Sequence, residues 1–306
     1  MTYDRNEEHA PRRFDEHAGS GNMTETSQLT AELEQWILDQ VRAGQPPEAV
    51  LEPLLESGWE QQAAIDAIET ATRGFLEAHA RENGLPAPSR VPAPIGLNGP
   101  SVVDAGDREV QVLASVRHPR VIVFGGLLSD EECERMVAFA RSRLSRSATV
   151  DLETGGDIVH EGRTSQGMSF ERGADALCRR IEARIARLLD WPVDRGEGLQ
   201  VLRYGPGAEY KPHYDYFDPD RPGTAKILQR GGQRVASLVM YLNTPRGGGA
   251  TTFPEVGFEA AAVKGNAVFF SYDRPHPMTL SLHGGAPVTA GEKWVATKWL
   301  RERAHD

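Results

Sequence analysis

Four short apolar runs, LQVLRY (199–204), RVASLVMYLN (234–243), AVFFSY (267–272) and KWVATKWLR (293–301), decide the fold class of this chain. Each is rich in β-branched or aromatic residues and is bounded by Gly, Pro, Asn or Asp, so each reads as a strand. Closely spaced strands without helices between them favour a jelly roll or a similar double-sheet barrel. Upstream, VIVF at 121–124 reads as a further strand. Ser129-Asp130-Glu131-Glu132 reads as a capping box that opens a helix with Met136, Val137, Ala140 and Leu144 inward. Residues 174–189 read as a second helix. The expected fold class is α+β: a double-stranded β-helix (jelly roll) with supporting helices.

Further towards the N-terminus the texture changes. Residues 1–28 are polar and lack a hydrophobic period, which predicts a disordered tail. From Ala31 the spacing becomes helical. Leu33, Trp36, Ile37 and Val41 share one face, and Gly44, Pro46 and Pro47 interrupt it. Val50, Leu51, Leu54 and Leu55 form the stripe of a second helix that Gly58 ends. Trp59 leads into a third, with Ala63, Ile65, Ala67, Ile68 and Phe75. Residues 29–82 thus form a small three-helix domain, which resembles ubiquitin-associated-like bundles and implies a protein partner for these helices. The proline-rich stretch NGLPAPSRVPAPIGLNGP (83–100) suits an extended linker, placed at 83–104, ahead of a second domain at 105–306.

Charge and cysteine content narrow the function. A formal net charge of −10 gives no recruitment of nucleic acid or of an anionic membrane surface. Two cysteines, Cys133 and Cys178, build neither a disulfide framework nor a Cys-rich zinc site, and both fall on helices as buried thiols. The N-terminus has no apolar signal region, and no stretch approaches the ~18 apolar residues of a membrane span. A cytoplasmic protein is expected.

His213-Tyr214-Asp215 is the first candidate for chemistry. In a strand, residues i and i+2 lie on one face about 6–7 Å apart, so imidazole and carboxylate can converge on one ion. Taken alone, the pair reads equally as a surface feature. His283 ends the run MTLSLH, and Lys293 follows ten residues later, after the turn PVTAGEK. If these two strands form a hairpin, both side chains enter one barrel. Two histidines and a carboxylate leave three open coordination positions, as non-haem iron(II) oxygenases require, with zinc or a structural histidine pair as alternatives. A buried lysine needs an anion, and the distal carboxylate of 2-oxoglutarate serves, its 2-oxo acid end chelating the iron. His276 competes as third ligand, but its flanking prolines place it in a loop. The glycines at 247–249 resemble a phosphate loop only superficially, since no Lys-Ser/Thr follows them.

These segments carry a family resemblance. YGPGAEYKPHYDYF (204–217), GGQRVASLVMYLNTPRGGGATTFPE (231–255) and SLHGGAPVTAGEKWVATKWL (281–300) resemble the catalytic domain of prolyl 4-hydroxylases, the collagen and algal or plant enzymes among them. The likeness covers about residues 105–304 and includes RTS at Arg163–Ser165 and the helical LSDEEC segment. It implies an iron(II)- and 2-oxoglutarate-dependent dioxygenase that consumes O2, releases succinate and CO2, uses L-ascorbate as reductant, and hydroxylates C4 of a peptidyl proline. His213, Asp215 and His283 would hold the iron. Lys293 would pair with the distal carboxylate of 2-oxoglutarate and Tyr204 would donate a hydrogen bond to it. Tyr210 and Arg234 match positions that contact the peptidyl proline, and Trp299 a tryptophan near it. Arg301 stands where plant-type relatives carry a histidine implicated in substrate contact. The segments 218–232 and 151–162 are candidates to close over the substrate. A hydroxylase of a free amino acid or of another side chain, and a non-catalytic peptide-binding module, are the alternatives.

Overall fold

The computed structural model describes residues 29–95, 99–146, 149–150, 152–154, 156–158 and 164–305. The expected tail at 1–28, Arg163 of the RTS motif and part of the 151–162 loop lie outside these residues. Two compact units part between His79 and Ala80. The first carries α1 (Ala31–Arg42), α2 (Pro47–Glu56) and most of α3 (Gln61–Glu82). Thr30 caps α1 by accepting the Leu33 N–H at 3.3 Å. Gly58, at φ 93°, turns the chain out of α2, where a side chain would be strained. Ile37, Val50 and Ala71 form the centre of the packing, with Leu33, Trp36, Val41 and Ile68 around them. Leu55 departs from the expected stripe and is 38% exposed. Its neighbour Leu54 takes the inward position, and residues adjacent on a helix point about 100° apart.

The second unit is mainly antiparallel sheet. In chain order its first strands are β1 (Val102–Asp104), β2 (Glu109–Val116), β3 (Arg120–Gly125), β4 (Ser145–Arg146), β5 (Thr149–Val150), β6 (Asp157–Ile158) and β7 (Gln166–Ser169). Then follow β8 (Gln200–Tyr204), β9 (Tyr210–His213), β10 (Arg234–Tyr241), β11 (Gly247–Gly248), β12 (Thr251–Phe253) and β13 (Phe258–Ala260). The last are β14 (Ala267–Ser271), β15 (His283–Gly285), β16 (Val288–Ala290) and β17 (Lys293–Arg301). Helices α4 (Asp130–Arg141), α5 (Ala176–Leu189) and α6 (Thr224–Leu228) complete the unit. The capping box is present at the start of α4, whereas Leu144 lies beyond its end.

A nine-stranded sheet runs β1-β2-β3-β14-β10-β17-β8-β7-β4, and a four-stranded sheet runs β13-β12-β15-β9. The two-residue side-chain period of a strand divides the large sheet between two cores. Trp294, Ala296 and Leu300 of β17 pack with Met136 of α4 and Ile181 of α5 on one face. Val295, with Leu202, Val268 and Phe270, packs on the other face against Phe253 and Ala260 of the small sheet. Lys293, Thr297 and Trp299 share the parity of Val295 and therefore face the interior between the sheets.

Two sequence expectations change here, and one strand carries an irregularity that matters for the site. His283 and Lys293 do not sit on a hairpin: β15 pairs with β12 and β9, whereas β17 pairs with β10 and β8. They reach one interior from opposite sheets. The 83–104 segment is packed: the Ser89 N–H donates to the Asp273 carbonyl at 2.6 Å, Ile95 is buried, and its last residues form β1. Extended prolyl backbone leaves its polar groups pointing outward, where a neighbour can use them. Finally, β10 carries a bulge between Arg234 and Ala236. Val235 and Ala236 both join the helix-side core, so Arg234 turns inward instead of outward.

Candidate active site

His213 closes β9, His283 opens β15, and the two are direct partners across the ladder. Asp215 follows two residues after His213, with its Oδ1 3.5 Å from His213 Nε2 and its Oδ2 3.5 Å from His283 Nε2. The candidate ligand atoms all lie within 4.8 Å of one another. Each imidazole is oriented by the carbonyl two residues before it: His213 Nδ1 lies 2.8 Å from the Lys211 oxygen, and His283 Nδ1 lies 3.0 Å from that of Ser281. A carbonyl can only accept, so each Nδ1 carries the proton and each Nε2 lone pair is left for a metal. Burial pushes His283 down to about 4, which keeps it neutral at physiological pH. Burial also acts to raise the Asp215 carboxyl, but nearby positive charge, that of Arg234 included, and hydrogen bonding to the carboxylate outweigh it, and the group stays ionised.

Behind the carboxylate, Ser237 Oγ donates to Asp215 Oδ2 at 2.6 Å. With that proton committed, the Tyr272 hydroxyl 3.0 Å away must be the donor to Ser237. Tyr210 stacks on His213 at 3.7 Å between ring centroids, and Phe270 lies 4.4 Å from the His283 ring. Two imidazoles presenting Nε2 and one ionised carboxylate on one side of an open space fit a divalent metal of the iron(II) type. Sequence reasoning missed Ser237 and Tyr272, because hydroxyl residues in strands carry no signal of a supporting role.

A cavity of about 50 Å³ extends from this trio to Lys293, with Tyr204, Thr251 and Thr297 in its lining. Lys293 is 5% exposed and directly opposite Tyr204 in the β17–β8 ladder. Among the described residues no carboxylate pairs with it, and burial lowers it to about 8. A buried, uncompensated cation facing a small cavity fits a ligand carboxylate. Thr251 is a third missed residue. Its Oγ1 accepts from the Tyr241 hydroxyl at 2.7 Å, which leaves the threonine's own proton free for a ligand. The glycine run belongs to this cavity too. Gly249 has φ 76°, and a Cβ there would lie 3.2 Å from Lys293 Cδ, so the run gives room to a lysine, not to a phosphate.

On the other side of the trio opens a cleft of about 640 Å³, lined by Arg234, Glu197 and Tyr214 among others. Tyr210, His213, Asp215 and Trp299 line both spaces, so the candidate ligands stand where the two meet. Arg234 is held in the cleft wall by Glu197, with Nε to Oε1 at 2.7 Å and Nη2 to Oε2 at 2.9 Å. Its guanidinium lies 4.1 Å from the Trp299 ring centroid and 4.7 Å from that of Phe217. Burial raises the Glu197 carboxyl, but the neighbouring Arg234 charge more than reverses this and brings it down to about 2. Glu197 is a fourth residue the sequence did not disclose. Arg301, by contrast, is 2% exposed and donates to Glu197 from behind. His276 caps a short 3-10 turn through Met278 and stands apart from the ligand trio.

Comparison with known proteins agrees with this arrangement. The 2OG-Fe(II) oxygenase superfamily model matches residues 199–301, which contain the whole trio and Lys293. Probable prolyl 4-hydroxylase 3 of Arabidopsis thaliana is 40% identical over 216 residues, covering 64% of this chain and 73% of that protein. The chain belongs to the prolyl 4-hydroxylase family. Prolyl 4-hydroxylase 1 of the same plant is 41% identical over 207 residues, 61% of this chain and 70% of the relative. A solved viral collagen prolyl hydroxylase from Paramecium Bursaria Chlorella virus-1, in complex with 2OG, is 28% identical at a TM-score of 0.46, covering 59% of this chain and 95% of that one.

Proposed function

We propose that this prolyl 4-hydroxylase family member is an iron(II)- and 2-oxoglutarate-dependent dioxygenase that hydroxylates C4 of a proline within a peptide or protein. The observation that carries the reading is the junction at His213, Asp215 and His283, with a lysine-based carboxylate pocket on one side and an aromatic, arginine-bearing cleft on the other. Iron(II) held by these three residues would supply the oxidation of a C–H bond by dioxygen, coupled to decarboxylation of 2-oxoglutarate to succinate and CO2.

Everything else falls to the chain's own residues. The two Nδ1–H···carbonyl bonds hold the imidazoles in the ligating tautomer, and Ser237 holds the Asp215 carboxylate. Lys293, with Tyr204 and Thr251 nearby, neutralises and anchors the distal carboxylate of 2-oxoglutarate. Phe253, Phe270 and Val295 exclude water around that pocket. Tyr210, Trp299 and Arg234 hold the prolyl residue against the opposite face of the trio, close enough to be the oxidised group. A jelly-roll topology for the two facing sheets, ascorbate as reductant and a cytoplasmic setting belong to the same proposal. Cys133 and Cys178, both buried and unbridged, support the last.

The test is succinate release from 2-oxoglutarate with iron, with and without proline-rich peptides, together with mass spectrometry of the peptide. Peptide-stimulated succinate and the addition of one oxygen atom to proline are the expected results. Turnover stimulated only by a free amino acid would overturn the peptide assignment.

A further inference from the structure

The segment from α6 to Gln233 borders the large cleft, with Arg230 in its lining, and most of it falls within residues 218–232, which the sequence makes a candidate to close over the substrate. The structure pins it down with the residues that end and follow β17. Arg301 Nη2 donates to the carbonyls of Ile227, at 3.3 Å, and of Arg230. The Arg303 N–H donates to the Gly231 carbonyl at 2.9 Å, and its guanidinium donates to that of Leu228 at 3.1 Å. The Gln233 N–H donates to the Glu302 carboxylate at 2.7 Å, and the Glu302 N–H returns to the Gln233 carbonyl at 3.0 Å. Gly231 and Gly232, at φ 79° and 72°, make the close approach feasible. A Cβ at Gly231 would lie 3.0 Å from the His305 ring, and one at Gly232 would collide with the Glu302 carboxylate.

Arg301 does more than its neighbours. Its other terminal nitrogen donates to Glu197 Oε1 at 2.9 Å, the oxygen that also accepts from Arg234 Nε. One buried guanidinium therefore ties the cleft wall to the carboxylate that aims Arg234. The planar fork has donors in several fixed directions, which a lysine ammonium on a flexible stem does not reproduce. We propose that Arg301 is a positioning residue for the peptide: it locks residues 224–233 as a fixed wall and, through Glu197, sets the Arg234 guanidinium, so that the cleft is preformed instead of closing as a lid. This rests on the peptide-hydroxylase reading.

A preformed wall spares the ordering cost of binding, so its loss falls on peptide affinity more than on the chemical step. The experiment uses the full chain carrying Arg301→Lys, with peptide KM, kcat and amide deuterium exchange across 224–233 as readouts. Expected are exchange faster by at least about tenfold in that segment and a peptide KM raised by about tenfold, with kcat within about threefold. Unchanged exchange overturns the proposal, as does faster exchange with an unchanged peptide KM, or a fall in kcat at constant KM. Should Arg301→Lys fail to fold, Arg303→Ala removes the bond to Leu228 alone. It must raise both exchange and peptide KM, and no change in either overturns the proposal. If the unsubstituted protein shows no peptide-dependent succinate, the hydroxylase reading fails, while the exchange result still judges the wall.

Discussion

Lys293 stands directly opposite Tyr204 in the β17–β8 ladder, its Nζ 5.5 Å from the tyrosine ring centroid, in an interior that holds it at about 8 against an ordinary 10.5. A dicarboxylate needs the ammonium form. Affinity for 2-oxoglutarate is therefore full below pH 8 and falls as pH rises through that value, by up to about tenfold per pH unit. The same depression makes the ligand-free protein more stable as pH climbs from about 8 to 10.5, because there the unfolded lysine binds more proton than the folded one. The measurement is KM for 2-oxoglutarate between pH 7 and 10. A flat profile in the unsubstituted protein sinks the assignment. Lys293→Ala should abolish saturable 2-oxoglutarate turnover.

His213→Ala and Asp215→Ala each remove one donor from a three-ligand face. Metal affinity should drop by more than about a hundredfold, a loss beyond what removal of a supporting hydrogen bond causes. Titration with iron(II) or cobalt(II) under anaerobic conditions checks it directly, and succinate release should vanish in parallel.

Ser237→Ala leaves all three donors in place and takes away only the hydroxyl that fixes Asp215 Oδ2 at 2.6 Å. The expected cost is about ten- to a hundredfold in metal affinity, the range for a supporting partner of a metal ligand. Tyr272→Phe should act in the same direction and less strongly, being one bond further out. Equal metal affinity in both variants and the parent would refute the supporting role.

Gly249→Ala places a methyl group at a left-handed backbone position, 3.2 Å from Lys293 Cδ. The backbone strain alone costs about 1–2 kcal/mol. Thermal unfolding should register that loss, and KM for 2-oxoglutarate should rise because the lysine stem is displaced. Loss of stability with no change in KM would separate the glycine from the pocket.

Much of the site was legible because its chemistry follows local rules. His213 and Asp215 share a strand parity, and Lys293 is a cation inside an apolar run. What stayed hidden depended on contacts between segments distant in sequence. Glu197 follows a short 3-10 turn and looks like any surface acid until Arg234 and Arg301 close on it. Thr251 and Ser237 are ordinary strand residues whose roles arise from what lies across the interior between the sheets. His283 and Lys293 were correctly brought to one interior by a wrong argument, since they belong to different sheets. Arg301 stands where plant-type relatives carry a histidine implicated in substrate contact, and its burial here places it behind the cleft wall. Leu55 shows the limit of periodicity in a short helix, which has more apolar residues than buried surface.

The bulge in β10 acts like an inserted letter in a reading frame. From Ser237 onward the strand is in frame with the metal side, and before the bulge the frame shifts so that Arg234 faces the same interior. Paired without the bulge, the same residues would alternate strictly, turning Val235 inward and Arg234 outward, while Ser237, Val239 and Tyr241 keep their places. Such a protein would still recognise its metal and 2-oxoglutarate and would be blind to the peptide, which makes one backbone irregularity the seam between the part of the site that does chemistry and the part that chooses a substrate.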